Sequence, residues 1–464
     1  MNKELEQASF SQGGSEKSDV LHNLADYKFY IENHGCQMNV YDSRKIVDLM
    51  IDFGFTQTFN SQEADILIFY TCNIREKAAQ RVFSNIGFLK NQNTKVIAVG
   101  GCVAQAEKEN IFKHKGVNIA FGPQVYHKLP SYVSSVLSGQ KDKILDIEFE
   151  QDKKFGCLHD RREVSYSEFV TIQEGCDNFC TYCVVPYTRG REYSRPALDI
   201  INETKTLLKN GAKEIILLGQ NVNSYHGEAP YINIGKPKGT WRLERLIQEI
   251  SSLDGLRRLR YTTSHPKDFT TELMEIHADT PVLPPFAHIP AQAGSDRILK
   301  MMNRGHTARE YLDKLKKFRD ICPNIHFSSD FIVGFPSETD EDFEDTLKLV
   351  REAKYTISYS FKYSRRKGTP AAVMDSQVSE AVKTERLKIL QETLLKDQIY
   401  YNNQLVGQTN EVLFEKVGRK PKQYIGKNAY SQSVIVESDK NLIGEFANVF
   451  IEKASENSTL GRLA

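Results

Sequence analysis

The chain has 464 residues, 40% of them hydrophobic, with 61 basic against 60 acidic side chains and a formal net charge of +1. That length accommodates about three domains, and near-neutrality excludes a globally basic nucleic-acid binder, so any polyanion must be met by local patches. No apolar run reaches the ~18 residues of a membrane span, and eight cysteines are too sparse for a disulfide scaffold.

Residues 1–24 are rich in Ser, Glu, Gln, Gly and Lys and lack an apolar stretch. They read as a disordered tail rather than a signal peptide. With no export signal and no obvious cysteine pairing, the expected compartment is a reducing cytoplasm.

Residues 25–140 alternate short apolar runs with amphipathic stretches. Strands are predicted at 27–33, 66–70, 96–99 and 117–121, and helices over 41–53, 76–89 and 104–113. This β-α alternation predicts a doubly wound parallel sheet. Cys36, Cys72 and Cys102 each fall just after a predicted strand. In an open α/β sheet, ligands gather outside the carboxyl ends of the strands. Three thiols at equivalent positions could hold a metal cluster at one edge, although each alone also reads as a small buried residue at a strand end.

Residues 141–165 form a charged connection without periodicity, and Cys157 within it reads as a linker cysteine that binds nothing. From 166 to 400 the alternation resumes, with strands predicted at 169–173, 214–218, 258–262, 285–289, 326–333 and 356–363. Six β-α units are too few for an eight-stranded barrel but suit a partial one, with polar and Gly-rich turns following the strands on its active face. The open side of such a barrel would admit a bulky substrate. Cys322 lies on the opposite side and reads as structural. Residues 401–455 carry short strand-like runs, expected as a small β-barrel, and 456–464 read as a tail.

The densest chemical signal is Cys176-Asp177-Asn178-Phe179-Cys180-Thr181-Tyr182-Cys183, three cysteines in eight residues with spacing C-x3-C-x2-C. Three thiolates can hold three corners of a four-iron cluster and leave one iron open, whereas an electron-transfer cluster is normally closed by four protein ligands. Zinc sites usually take a second pair of ligands, and His159 is too far upstream to complete a compact knuckle.

The run from Gly175 to Arg191 resembles the signature of radical S-adenosylmethionine (SAM) enzymes, more narrowly that of the methylthiotransferases. Gly35-Cys36-Gln37-Met38-Asn39, the segment from Thr71 to Ala78, and Gly100-Gly101-Cys102 are similar to that family's three auxiliary-cluster segments. The C-terminal region resembles a TRAM domain. The resemblance covers about residues 27–455. It implies two 4Fe-4S clusters, on Cys176/Cys180/Cys183 and on Cys36/Cys72/Cys102. The first binds SAM and cleaves it to a 5′-deoxyadenosyl radical; the second carries the sulfur to be inserted. An external electron donor and a sulfur source are implied as partners. Among the subgroups, Gly35 to Ser43, Asn73 to Lys77 and Val185 to Glu192 resemble enzymes acting on isopentenylated adenosine beside the tRNA anticodon. Other subgroups act on threonylcarbamoyladenosine or on a ribosomal-protein aspartate. A reading of another class, a non-enzymatic two-cluster electron carrier, would need closed four-ligand sites.

Further site residues follow. Gly219-Gln220-Asn221 ends the second barrel strand, where many radical SAM enzymes hold the methionine amino group with an acidic residue that this chain lacks. Gln292 and the turn at Gly334 are candidates for ribose and adenine contacts, with turn chemistry an equal reading. Tyr182 either shields the cluster beside the SAM adenine or packs. Arg189, Arg191 and Arg195 after the cluster loop, and Arg365, Arg366 and Lys367 after the last barrel strand, would grip an anticodon stem-loop through phosphates. Arg419, Lys420 and Lys422 beside Tyr424 combine charge with an aromatic, as RNA contacts do.

Overall fold

The computed structural model describes residues 24–72, 76–89, 93–156, 161–230 and 239–464. The expected tail up to residue 23, Asn73, Ile74 and Arg75, the side chains of 76–82, Cys157 and His159 lie outside the described residues.

The first unit is a six-stranded sheet in which every pairing is parallel. Its strands are β1 (Lys28–His34), β2 (Thr56–Gln57), β3 (Ile66–Thr71), β4 (Val96–Gly100), β5 (Ile119–Phe121) and β6 (Ile144–Asp146), in the order β2-β1-β3-β4-β5-β6. Every residue of β3 and β4 is buried, as a sheet covered on both faces requires. Ile66, Ile68 and Tyr70 pack with the helices Gln37–Asp52 and Leu129–Leu137, while Leu67 and Phe69 pack with Ile86 and Ala104 on the other side. The segment 141–165, expected as a charged linker without periodicity, contributes β6 and the helix Gln151–Gly156. Both are too short to carry a hydrophobic period.

The second unit is the partial barrel. β7 (Ser167–Thr171) continues into β8 (Gln173–Glu174), which pairs with β9 (Tyr193–Ser194) as the antiparallel base of the cysteine loop. β10 (Glu214–Leu218) follows, then the hairpin of β11 (His226–Glu228) and β12 (Thr240–Arg242), then β13 (Arg258–Tyr261), β14 (Phe286–His288), β15 (His326–Val333) and β16 (Ile357–Lys362). These form two parallel ladders, β13-β10-β7 and β14-β15-β16. β7 and β16 are outer strands, and among the described residues no ladder joins them. Six strands in two ladders make an open barrel, as the sequence predicts.

The third unit is a closed five-stranded barrel of β17 (Thr409–Val417), β18 (Gln423–Lys427), β19 (Ser433–Glu437), β20 (Phe446–Ala454) and β21 (Thr459–Leu463). Residues 456–464, expected as a tail, include β21, which pairs with β19 and β20 and closes the barrel. Arg260 ties this unit to the central one by donating to the carbonyls of Asn428 (2.8 Å) and Ala429 (3.0 Å).

One helix fixes the first unit against the second. Gln37–Asp52 buries Asp42, Lys45 and Asp48 on a single face. Asp42 meets Lys154 (3.0 Å) and Arg189 (3.0 Å), and Glu174 meets the same two bases (2.8 and 2.7 Å). All four side chains are at most 3% exposed. Tyr70 donates to Asp42 at 2.9 Å. Further along the helix, Lys45 reaches Glu203 (2.9 Å), Arg44 reaches Glu168 (2.6 Å) and Asp48 reaches Arg161 (2.8 Å).

Two acids and two bases balance only as a set. Lys154→Met leaves Asp42 and Glu174 sharing Arg189, and should lower stability by about 3–5 kcal/mol in a urea titration, the usual cost of stranding a buried charge. A loss below about 1 kcal/mol, the scale of an exposed pair, would contradict that account. Burial alone would raise the Glu203 carboxyl, but Lys45 and Arg195 outweigh it and hold it at about 2 against the ordinary 4.5. Its contribution is therefore complete above pH 4.5 and lost as pH falls toward about 2. The Tm difference between the natural chain and Glu203→Gln should narrow across that window; a constant difference would refute the assignment.

Candidate active site between two cysteine trios

Cys36 follows β1 and occupies the N-cap position of the helix Gln37–Asp52. Cys72 directly follows β3, and Cys102 opens the short helix Cys102–Glu107 after β4. The parallel order thus places all three at one sheet edge. A Cβ on Gly35 would lie 2.6 Å from the Cys72 Cβ, so only glycine lets these turns approach so closely. The Cys36 thiol is held down at about 6, chiefly by its hydrogen bond with Cys72 and, against the opposing effect of burial, by the nearby Arg189. Burial pushes Cys102 up, again against Arg189.

The barrel trio sits on the loop closed by β8 and β9. Gly175 has φ +80°, and a Cβ there would lie 1.9 Å from the Arg191 carbonyl oxygen. Its N–H donates to Gln220 Oε1 at 2.6 Å, while the Cys176 N–H reaches the Gly190 carbonyl at 3.2 Å. Hydrogen-bond donors surround the sulfurs: Asn178 Nδ2 to Cys176 (3.4 Å), Arg304 Nη1 to Cys180 (3.5 Å) and the Val185 N–H to Cys183 (3.5 Å). Burial pushes the Cys183 thiol up to about 12, reinforced by Cys180.

One cavity of about 270 Å³ runs from the barrel trio to Cys36 of the sheet trio; Cys72 and Cys102 are not among its lining residues. Cys36, Gln37 and Met38 line it from the first unit, and Cys176, Cys180 and Cys183 from the second. Gly219, Gln220, Asn221, Gln292 and Tyr182 also line it. Gln220 is committed through its side chain to the cysteine loop. Tyr182 packs in addition against a cluster containing Phe335 and Tyr363. Gly334 is not among the lining residues. Its turn, at φ +70°, donates the N–H groups of Gly334 and Phe335 to Glu338 (2.9 and 3.3 Å), which pairs with Arg386.

The expected RNA contacts divide. Arg189 and Arg195, expected on a phosphate-binding surface, are each 2% exposed. Arg189 serves the seam, and Arg195 pairs with Glu203 at 2.8 Å. Three acids within the fold, Asp42, Glu174 and Glu203, outbid any surface role. Arg191, Arg365, Lys367, Arg419, Lys420 and Lys422 are exposed and Arg366 is half-buried. Lys422 pairs with Asp439. The sequence reading missed Asp42, Lys154, Glu174 and Arg304, because isolated charged residues in helices and turns look like solvent-facing ones. Ser264 and His265, in the turn after β13, also line the cavity. Cys322 is buried and donates to Asn324, as a structural thiol does.

The donor sets fit iron–sulfur clusters. Each trio offers three thiols with a guanidinium close by, Arg189 at one and Arg304 at the other, to balance thiolate charge. Among the described residues, no three His, Cys, Asp or Glu side chains are gathered to hold a single metal ion.

Three family models match the chain: the Radical SAM superfamily over residues 170–350, the Uncharacterized protein family UPF0004 over 28–122 and the TRAM domain over 403–464. Radical SAM membership implies a 4Fe-4S cluster and SAM. Among solved structures, the radical S-adenosylmethionine methyltransferase TsrM from Kitasatospora setae, with cobalamin and a [4Fe-4S] cluster bound, aligns with a TM-score of 0.56 at 13% identity. It covers 86% of this chain and 80% of that one, and shows the shared fold. The tRNA-2-methylthio-N(6)-dimethylallyladenosine synthase of Rickettsia conorii is 47% identical over 448 residues, covering 94% of this chain and 99% of the relative. That of Maricaulis maris is 47% identical over 445 residues, covering 94% and 97%. With a sheet domain, an open barrel and a terminal β-barrel matched along nearly its whole length, the chain belongs to the tRNA-2-methylthio-N(6)-dimethylallyladenosine synthase family.

Proposed function

We propose that the chain places a methylthio group on carbon 2 of N6-isopentenyladenosine beside the anticodon of tRNA; its relatives are named tRNA-2-methylthio-N(6)-dimethylallyladenosine synthases. The observation that carries this reading is one cavity lined by Cys36 of the sheet trio and by Cys176, Cys180 and Cys183 of the barrel trio. An electron carrier would have no use for an open cavity between them. The target C–H is neither acidic nor electrophilic, so side-chain acid–base catalysis cannot open it. Cys176, Cys180 and Cys183 would hold one 4Fe-4S cluster and Cys36, Cys72 and Cys102 a second, and with SAM these groups, when bound, would supply the carbon radical and the methylated sulfur.

The protein's own part is positioning and exclusion of water. Arg189 and Arg304 place one cation beside each trio. Gln220 holds the cysteine loop through the Gly175 N–H. Met38, Val185, Leu218 and Tyr182 give the cavity apolar walls. Gln292, Asn221 and Gly219 line the cavity and would contact SAM.

RNA would enter from the open face of the barrel. Asp330 and Ile332 pair in register with Tyr359 and Phe361, and lie on the face opposite Phe327 and Phe331, which pack in the helix-covered core. Tyr359 and Phe361 are 53% and 45% exposed there, a platform suited to stacked single-stranded bases. Arg191, Arg365, Arg366, Arg419, Lys420 and Lys422 would contact phosphates of the anticodon stem-loop. In this division of labour the sheet unit presents sulfur, the barrel generates the radical and the terminal β-barrel grips RNA. An external electron donor and a sulfur source complete the partners. None of the seven described cysteines is in a disulfide, which favours a reducing cytoplasm, and no helix among the described residues is long and apolar enough to cross a membrane.

Anaerobic reconstitution should load about eight iron and eight sulfide per chain, falling by half when Cys36, Cys72 and Cys102 are replaced together by alanine. After incubation of tRNA with protein, SAM, reductant and sulfide, mass spectrometry of the nucleosides should reveal methylthio-isopentenyladenosine. A mark confined to threonylcarbamoyladenosine would overturn the choice of substrate. Cys102→Ala should retain SAM cleavage and lose methylthio insertion; loss of both in a folded, iron-loaded variant would contradict the division of roles.

A further inference from the structure

The two guanidiniums beside the cysteine trios are not equivalent. Arg189 is neutralised within the fold, because Asp42 and Glu174 meet it at 3.0 and 2.7 Å. Arg304 is 5% exposed, and its partners are a thiol and a carbonyl: Nη1 donates to Cys180 Sγ at 3.5 Å and Nη2 to the Pro290 carbonyl at 2.8 Å. Among the described residues, no carboxylate pairs with it. Its field is felt nearby. After burial, the charge of Arg304 is the next cause that holds the His265 imidazole at about 2 and the His306 imidazole at about 4, against the ordinary 6.5.

The local chain fixes this cation against the cysteine loop. Asn303 takes φ +59° just after the helix Asp296–Met301, and its Nδ2 donates to the carbonyls of Asn178 (2.9 Å) and Phe179 (3.3 Å). Thr181 returns the contact, its N–H reaching the Met302 carbonyl (3.1 Å) and its hydroxyl the Met301 carbonyl (2.8 Å). The Arg304 N–H closes on the Leu299 carbonyl at 3.0 Å. Guanidinium and sulfur therefore keep one relative placement.

Buried charges are paired or bind metals, since desolvating an isolated ion is costly. A buried cation whose side chain meets a cysteine sulfur and no acid is set to balance negative charge that arrives at that sulfur. A four-iron cluster held by thiolates brings such charge, and one-electron reduction adds more. Net charge and hydrogen bonds to the sulfurs are among the quantities that set a cluster's potential. In a water-poor site a fixed cation favours the more negative state strongly.

We propose that Arg304 is the counter-ion of the barrel cysteine trio and raises the reduction potential of the 4Fe-4S cluster held there, leaving the sheet-edge trio to its own, already balanced arginine. The inference rests on the reading that this trio holds a cluster, and deepens it. Arg304 is a positioning residue that acts through Cys180. The step it favours is electron transfer alone: a low-potential donor loses one electron, the barrel cluster gains it, and no bond or proton moves.

The test is a dithionite titration followed by electron paramagnetic resonance on anaerobically reconstituted full-length chains, with SAM and RNA left out so that contacts to them contribute nothing. In a chain with Cys36, Cys72 and Cys102 replaced by alanine, the signal belongs to the barrel cluster. There Arg304→Gln should move the reduction equilibrium at least tenfold toward the oxidised form, about 59 mV for a one-electron couple. Arg304→Lys, which keeps the charge, should recover most of that shift. In the converse chain, with Cys176, Cys180 and Cys183 replaced by alanine, Arg304→Gln should leave the remaining potential where it was. Loss of barrel iron in Arg304→Gln but not in Arg304→Lys would show the same need for charge as occupancy. A barrel potential unmoved by Arg304→Gln would overturn the proposal and leave Arg304 as an anchor for the Pro290 carbonyl. Equal shifts at both trios would overturn it as well. So would Arg304→Lys behaving like Arg304→Gln in potential or in iron content, which would assign the effect to side-chain shape. A barrel trio that takes up no iron with Arg304 in place would instead defeat the functional reading itself.

Discussion

Four buried charges at the seam between the sheet unit and the barrel set the geometry on which the rest depends. Asp42 and Glu174 each contact both Lys154 and Arg189, and water is excluded from all four. Such a network contributes less to stability than its contacts suggest, because desolvation offsets the attraction. What it provides is registry. An apolar seam tolerates sliding, whereas two acids and two bases are satisfied together in one arrangement. Arg189 belongs to this network and also lies beside Cys102, so the arrangement that satisfies the charges is also the one that sets the sheet-edge cysteines over the barrel.

Each half of the site then follows from a general property of parallel α/β structure, that chemistry collects at the carboxyl ends of strands. Applied twice, in a sheet and in an open barrel, the rule gives two rims. The helix Gln37–Asp52 turns one rim onto the other. Its first residues line the cavity, and its middle residues, from Asp42 to Asp48, hold the barrel. The cavity is small beside a tRNA, which suits the proposal that one base enters while the remainder of the RNA stays on the open barrel face.

The parts with a period were legible in the sequence. β3 and β4 announce themselves as uninterrupted apolar runs, and the six barrel strands alternate with helices at regular spacing. The six candidate ligands could be singled out because spacing and strand ends need no tertiary knowledge. β6 and β21 were missed because three and five residues of mixed character are indistinguishable from connection or tail. The seam was illegible for a deeper reason. Asp42, Lys45 and Asp48 share a helix face that reads as solvent-exposed, and their partners lie more than a hundred residues away. For the same reason Arg189 and Arg195 looked like phosphate ligands when each is consumed by a buried acid.

The most direct measurement of the central claim is thiol cross-linking in cluster-free protein held under reducing, anaerobic conditions until a short bifunctional thiol reagent is added. Cys36, Cys176 and Cys183 are each partly accessible. Two trios facing one cavity predict a peptide joining Cys36 to Cys176 or Cys183 within a single chain. Cross-links confined to each trio, with none between them under conditions that bridge thiols within a trio, would contradict the shared site.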